Sequence, residues 1–243
     1  MSKQFKGKLC AYCTKETATN GDHVFAREFF LLQDRDNGPK APACRPCNGE
    51  KSLLEHYLTA ALPFGGRHAQ AVANLQTGVP RRLAKNRKLH IEVVNTSEPA
   101  WLRQGAGLFV PTGKFSFDGA KLEELLKYIA RGLAWHHWQT YLRPDEYVSV
   151  LFLTDTLTAV FQQLVSMWNV AQRVTADLGH GTVQYEGVQA VDPPELTVWS
   201  VSMYGGVVLT GEGRTDGTAE ASCRWWMITG PPEVGRTIEG LKR

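Results

Sequence analysis

Cysteine is scarce in this 243-residue chain, five in all, and no stretch of ~18 apolar residues is present to cross a membrane. The opening "MSKQFKGK" lacks the apolar centre of a secretory signal. No repeat, low-complexity tract or targeting signal stands out. These absences argue against a membrane or secreted protein and for a cytoplasmic one, where thiols stay reduced. Disulfides are therefore the weaker reading of the cysteines. Neither sign of charge dominates: 27 Lys and Arg face 24 Asp and Glu, a formal net charge of +3. A hydrophobic share of 43% is enough for a packed core, and the length suits one or two domains.

What cysteine there is falls into a pattern. "LCAYCTKETATNGDHVFAREFF" carries Cys10 and Cys13, and "APACRPCNGEKSLLEHYL" carries Cys44 and Cys47. Two Cys-x-x-Cys pairs about thirty residues apart offer four thiolates, the set that tetrahedral zinc takes in closed, structural sites. Cys223 stands alone and reads as a small core hydrophobe. Zinc leaves Asp22, His23 and Asn48 unused. A carboxylate and an amide oxygen are hard ligands suited to Mg2+ or Mn2+, and an imidazole titrates near neutrality and can accept a proton from water. These are the parts of metal-assisted phosphodiester hydrolysis. Asn48 would also serve as a helix cap with no metal role.

In order and spacing, Cys-x-x-Cys, Asp-His-Val and Cys-x-x-Cys-Asn-x-x-Lys resemble the HNH, or His-Me finger, endonucleases over residues 9–57, about one fifth of the chain. The resemblance implies a two-stranded hairpin and a helix around one metal ion. It implies that His23 is the general base, that Asp22 and Asn48 hold a catalytic Mg2+ or Mn2+, and that Cys10, Cys13, Cys44 and Cys47 hold structural Zn2+. Asn37 would brace the loop that carries the base. The products would carry a 5′ phosphate and a 3′ hydroxyl. A free-standing enzyme of this kind would suit restriction or phage defence. One metal site cuts one strand, so double-strand cleavage would take a homodimer. The alternative is a zinc-dependent nucleic-acid-binding or assembly module that cleaves nothing.

Local patterns agree with that placement. Asn20-Gly21 reads as a hairpin turn. "NGEKSLLEHYLTAAL" has helical spacing of apolar residues and stops before Pro63, with Asn48 in its first turn. Lys51 is one turn beyond Asn48 and would either touch a phosphate or be solvated. Glu55 and His56 read as a solvated carboxylate and a half-buried imidazole.

Charge is unevenly spread. Residues 1–100 hold 15 Lys and Arg against 9 Asp and Glu, a net of +6, and the remainder holds 12 against 15, a net of −3. The nucleic-acid surface, DNA with RNA left open, is thus expected in the amino half. Its densest run holds Arg81, Arg82, Lys85, Arg87 and Lys88. Positions 81, 85 and 88 would share a helix face that tracks phosphates without reading sequence.

The expected architecture is α+β. A zinc-stabilised ββα-metal finger over residues 1–65 is followed by a helical basic connector over 66–100 and a mixed domain of helices and antiparallel strands over 101–243. There, Asp118 starts an amphipathic helix, "EYVSVLFL" reads as a strand and "TDTLTAVFQQLVSMWNVAQRV" as a helix capped by Thr154. Short β-like runs after Gly179 read as an antiparallel meander. The Trp135-His136-His137-Trp138 cluster reads as packed core rather than a second site.

Overall fold

The two cysteine pairs bracket a short hairpin. In the computed structural model, which describes residues 4–35, 38–66, 68–104, 108–116, 118–207, 209 and 224–241, strand β1 (Asn20–His23) pairs antiparallel with β2 (Lys40–Ala43). The register sets Asp22 opposite Ala41 and His23 opposite Lys40. Helix α1 (Arg45–Ala61) follows at once, with Cys44 as its N-cap and Pro46 in its first turn, where a missing N–H leaves no bond unmade. Asn48 therefore sits past the cap position. The Asn20-Gly21 pair does not form the expected turn: it lies inside β1, and the strands are joined by a long segment with two short 3-10 turns. Glycine is needed at 21 for a different reason. A Cβ there would stand 2.4 Å from the Phe5 ring.

Helices α2 (Ala69–Lys85) and α3 (Arg87–Thr96) come next. They are not one helix. Asn86 breaks the run, and its side chain accepts a hydrogen bond from Leu89 N–H at 3.1 Å to cap α3. The expected single face through 81, 85 and 88 is thus interrupted. A hairpin of β3 (Glu98–Gln104) and β4 (Leu108–Lys114) precedes α4 (Gly119–Trp138), which Asp118 caps as its sequence suggests.

The remaining strands form one antiparallel sheet. They are β5 (Tyr147–Leu151), β6 (Val170–Leu178), β7 (Val183–Ala190), β8 (Thr197–Met203) and β9 (Trp225–Gly230), in the order β5-β9-β8-β7-β6. The meander is as read. The helix that Thr154 caps, α5 (Asp155–Ser166), is shorter than expected. From Val170 the chain is strand β6, where Val174, Ala176 and Leu178 pack against the core at a spacing of two. Helix α6 (Pro232–Leu241) follows the sheet. Among the described residues there are thus six α-helices in a mixed α+β arrangement, and no helix long and apolar enough to cross a membrane.

Helix α4 carries the cysteine-rich segment on the rest. It packs against α1, β2, β5 and β9. Gly132 allows the closest approach, since a Cβ there would meet Val24 Cγ2 at 2.8 Å. One cluster of buried side chains runs from Phe5, Tyr12 and Val24 through Leu126 and Leu133 to Trp199 and Trp225. The core does not pause at residue 65. Trp138 and Trp199 stack with centroids 4.6 Å apart, and His137 lies 3.0 Å from the Tyr185 hydroxyl. His136 exchanges contacts with the Lys40 backbone. Trp135, His137 and Trp138 are packed, as read, whereas His136 is exposed.

Candidate metal centre and the adjoining polar cluster

Two local structures bring the thiols together. Cys10 N–H donates to the Glu16 carbonyl at 2.8 Å and Thr14 N–H to the Cys10 carbonyl at 3.0 Å, closing a tight loop in which Thr14 takes a φ of 49°. Cys44 and Cys47 stand on the first turn of α1. All four are free thiols, and their Sγ atoms lie within 4.8 Å of one another, with Cys13 and Cys44 at 3.9 Å. Around an ion with Zn–S bonds of about 2.3 Å, tetrahedral sulfurs stand about 3.8 Å apart. The cluster is compatible with zinc. Burial pushes the Cys44 thiol up to about 11 and raises Cys47 further. At Cys13 burial opposes ionisation, but backbone hydrogen bonds at Glu16 and Lys15, together with the Cys10 and Cys47 sulfurs, lower the thiol. Four crowded thiols of this kind do not ionise together without a cation.

Beside the cluster lies a second group that the sequence only half disclosed. Lys51 is fully buried, with 0% of its side chain exposed, against 12% for Asp22 and 15% for Glu55. Its ammonium has three N–H donors and meets three acceptors. It donates to the His23 carbonyl at 2.8 Å, pairs with Asp22 Oδ2 at 3.0 Å and pairs with Glu55 Oε1. The Tyr12 hydroxyl donates to the same Asp22 Oδ2 at 2.6 Å. Burial first, and Asp22 second, hold the Tyr12 phenol well above its usual range. Burial raises Glu55 to about 7, with Lys51 pulling the other way and Asp22 adding to the rise.

Sequence expectations for this face need correction. Lys51 is neither solvated nor placed to touch a phosphate. Glu55 is not a free surface carboxylate, and His56 is exposed rather than half-buried. Tyr12 gave no signal beyond its position between two cysteines. Glu55 did: it lies seven residues after Asn48, and Asn48, Lys51 and Glu55 share one helix face.

That face looks onto β1. Asp22 meets it directly, and Asn48 sits one turn before Lys51. His23 follows Asp22 as the last residue of the strand, and the charges of Asp22 and Lys51 both act on its imidazole. It lines a small recess with Phe25, Arg27, Phe30 and Asp34. Burial lowers its imidazole pKa, helped by Lys40 and Arg27 and opposed by Asp22. Asn37 lies outside the described residues, as does Cys223.

The basic run divides. Arg81, Lys85, Arg87 and Lys88 are exposed on α2 and α3. Arg82 is turned inward: it donates to the Thr59 carbonyl at 2.8 Å and the Glu28 carbonyl at 2.6 Å, tying α2 to α1 and to the turn after β1. It is a structural residue here, and not the phosphate contact that its neighbours suggested.

No protein family, curated protein or solved structure matches this chain.

Proposed function

We propose that the amino-terminal segment is a metal-dependent endonuclease of HNH type acting on DNA phosphodiester bonds. The observation that carries the reading is the order of groups along β1 and α1. Asp22 faces the helix side that also bears Asn48, and His23, with its imidazole pKa lowered, stands next to it in the strand. An imidazole with a lowered pKa is neutral at physiological pH, the form a general base needs.

In this reading Asp22 and Asn48 would hold Mg2+ or Mn2+. Their donors fit a hard cation: a carboxylate and an amide oxygen, with both recorded contacts to Asp22 falling on Oδ2. The ion, when bound, would stabilise the charge that develops on the phosphate and the leaving oxygen. His23 takes a proton from water at a ring nitrogen. The hydroxide attacks phosphorus, the bond to the 3′ oxygen breaks, that oxygen takes a proton from solvent, and a 5′ phosphate and 3′ hydroxyl remain. Zinc on the four cysteines fixes the hairpin against α1 and takes no part in the chemistry. Arg81, Lys85, Arg87 and Lys88 contact backbone phosphates. One such site nicks one strand, so a double-strand break takes two chains.

The test is conversion of supercoiled plasmid with Mg2+, Mn2+ or EDTA, on wild type and His23→Ala together. Metal-dependent nicking by wild type alone supports the proposal. A folded, zinc-loaded wild type that binds plasmid and never nicks it favours a binding module without cleavage.

A further inference from the structure

The buried lysine carries an inference that rests on the metal site just proposed. A fully buried ammonium is costly unless it is paired and hydrogen-bonded throughout. Lys51 meets that condition with its three donors on three acceptors, and two of these belong to consecutive residues of one strand, Asp22 and His23. The third, Glu55, lies one turn further along α1 and holds the ammonium from behind. Helix and strand are thereby joined at the residues the proposed chemistry uses.

We infer that Lys51 is the resident counter-cation of Asp22, a positioning residue that keeps the metal ligand oriented and the site poor in net negative charge. With both carboxylates ionised, two negative charges and one ammonium leave a single negative charge for a divalent cation to find. Metal affinity is therefore low in free protein and rises when a substrate phosphate adds its own charge. Glu55 sets the balance. It adds negative charge and keeps Lys51 in place, without touching the scissile phosphate.

Mn2+ binding to the zinc-loaded full chain, followed by electron paramagnetic resonance without DNA, tests this apart from cleavage. Lys51→Met should bind Mn2+ about tenfold or more tightly, because two close carboxylates have lost their cation. It should also cleave more slowly at saturating Mn2+, because Asp22 has lost its orientation. Glu55→Gln, near-isosteric and partly exposed, should bind Mn2+ several-fold more weakly. A merely structural role would not move the two variants in opposite directions. Should Lys51→Met fail to fold, Glu55→Gln still decides: unchanged or tighter Mn2+ binding overturns the inference. Asp22→Asn separates this from the function proposed above. If Asp22→Asn abolishes Mn2+ binding while Lys51→Met and Glu55→Gln leave it unchanged, the counter-cation role is wrong and the metal site stands. If Asp22→Asn leaves binding intact, both fall.

Discussion

The two ends of this molecule are held together by different means. The cysteine-rich end has two four-residue strands and one helix. Beside its apolar packing it holds four clustered thiols and one buried ammonium. The five-stranded sheet at the other end is built on aromatic residues, with Trp199 and Trp225 fully buried and Trp138 stacked on Trp199. An apolar core tolerates modest change in any one side chain. A metal and ion-pair frame does not, because removing one member leaves the rest unpaired. The end expected to fail most sharply is also the end with the groups proposed for chemistry, and α4 packs it against the other.

The largest effect should come from breaking the frame. Cys10→Ala removes one of four sulfurs, and structural zinc contributes on the order of 10 kcal/mol in small zinc domains, more than many whole domains possess. Zinc content should fall and the hairpin should lose its near-ultraviolet circular dichroism; a variant that stays folded with no bound zinc refutes the frame. Trp199→Ala tests the other end. It should cost about 3–5 kcal/mol in denaturant melts while zinc stays bound at full stoichiometry.

A pH titration of stability should show a smaller effect. Burial, with help from His136, lowers His137 from its usual 6.5 to about 4. Between those values His137 binds fewer protons in the folded chain than in the unfolded one, so its contribution to stability is flat above about pH 6.5 and declines as pH falls toward 4. His137→Gln should flatten that decline, as followed by urea midpoints.

The smallest effects belong to the basic run, and they divide it. Arg81→Ala, Arg87→Ala or Lys88→Ala should leave stability within about 0.5 kcal/mol and reduce the salt slope of DNA binding by about one each. Arg82→Ala should do the reverse, costing about 1–3 kcal/mol through two abandoned carbonyls with little change in salt slope. Equal behaviour of all four would contradict the inward role of Arg82.

How much of this was legible in the sequence differs by interaction range. Ligand spacing is local, so the Cys-x-x-Cys pairs announced their cluster, and the Asp118 and Thr154 caps announced their helices. The β1–β2 pairing was misplaced because Asn20-Gly21 carries a turn signature, while the true constraint, the Phe5 ring against Gly21, is tertiary. The break at Asn86 was missed because a charged helical run hides a capping asparagine. Lys51 was misread for the same reason in reverse. Lysine is almost always a surface residue, and only the fold brings the His23 carbonyl, Asp22 and Glu55 around one ammonium. His23 has its lowered pKa from burial first and from Lys40 and Arg27 after it, none of which a motif records.

The most direct test of the central claim is anomalous diffraction from His23→Ala crystals grown with a short DNA duplex and Mn2+, with data at the zinc and manganese edges. Zinc is expected among Cys10, Cys13, Cys44 and Cys47, and manganese would be held by Asp22 and Asn48. Zinc in place with DNA bound and no manganese between Asp22 and Asn48 would contradict it.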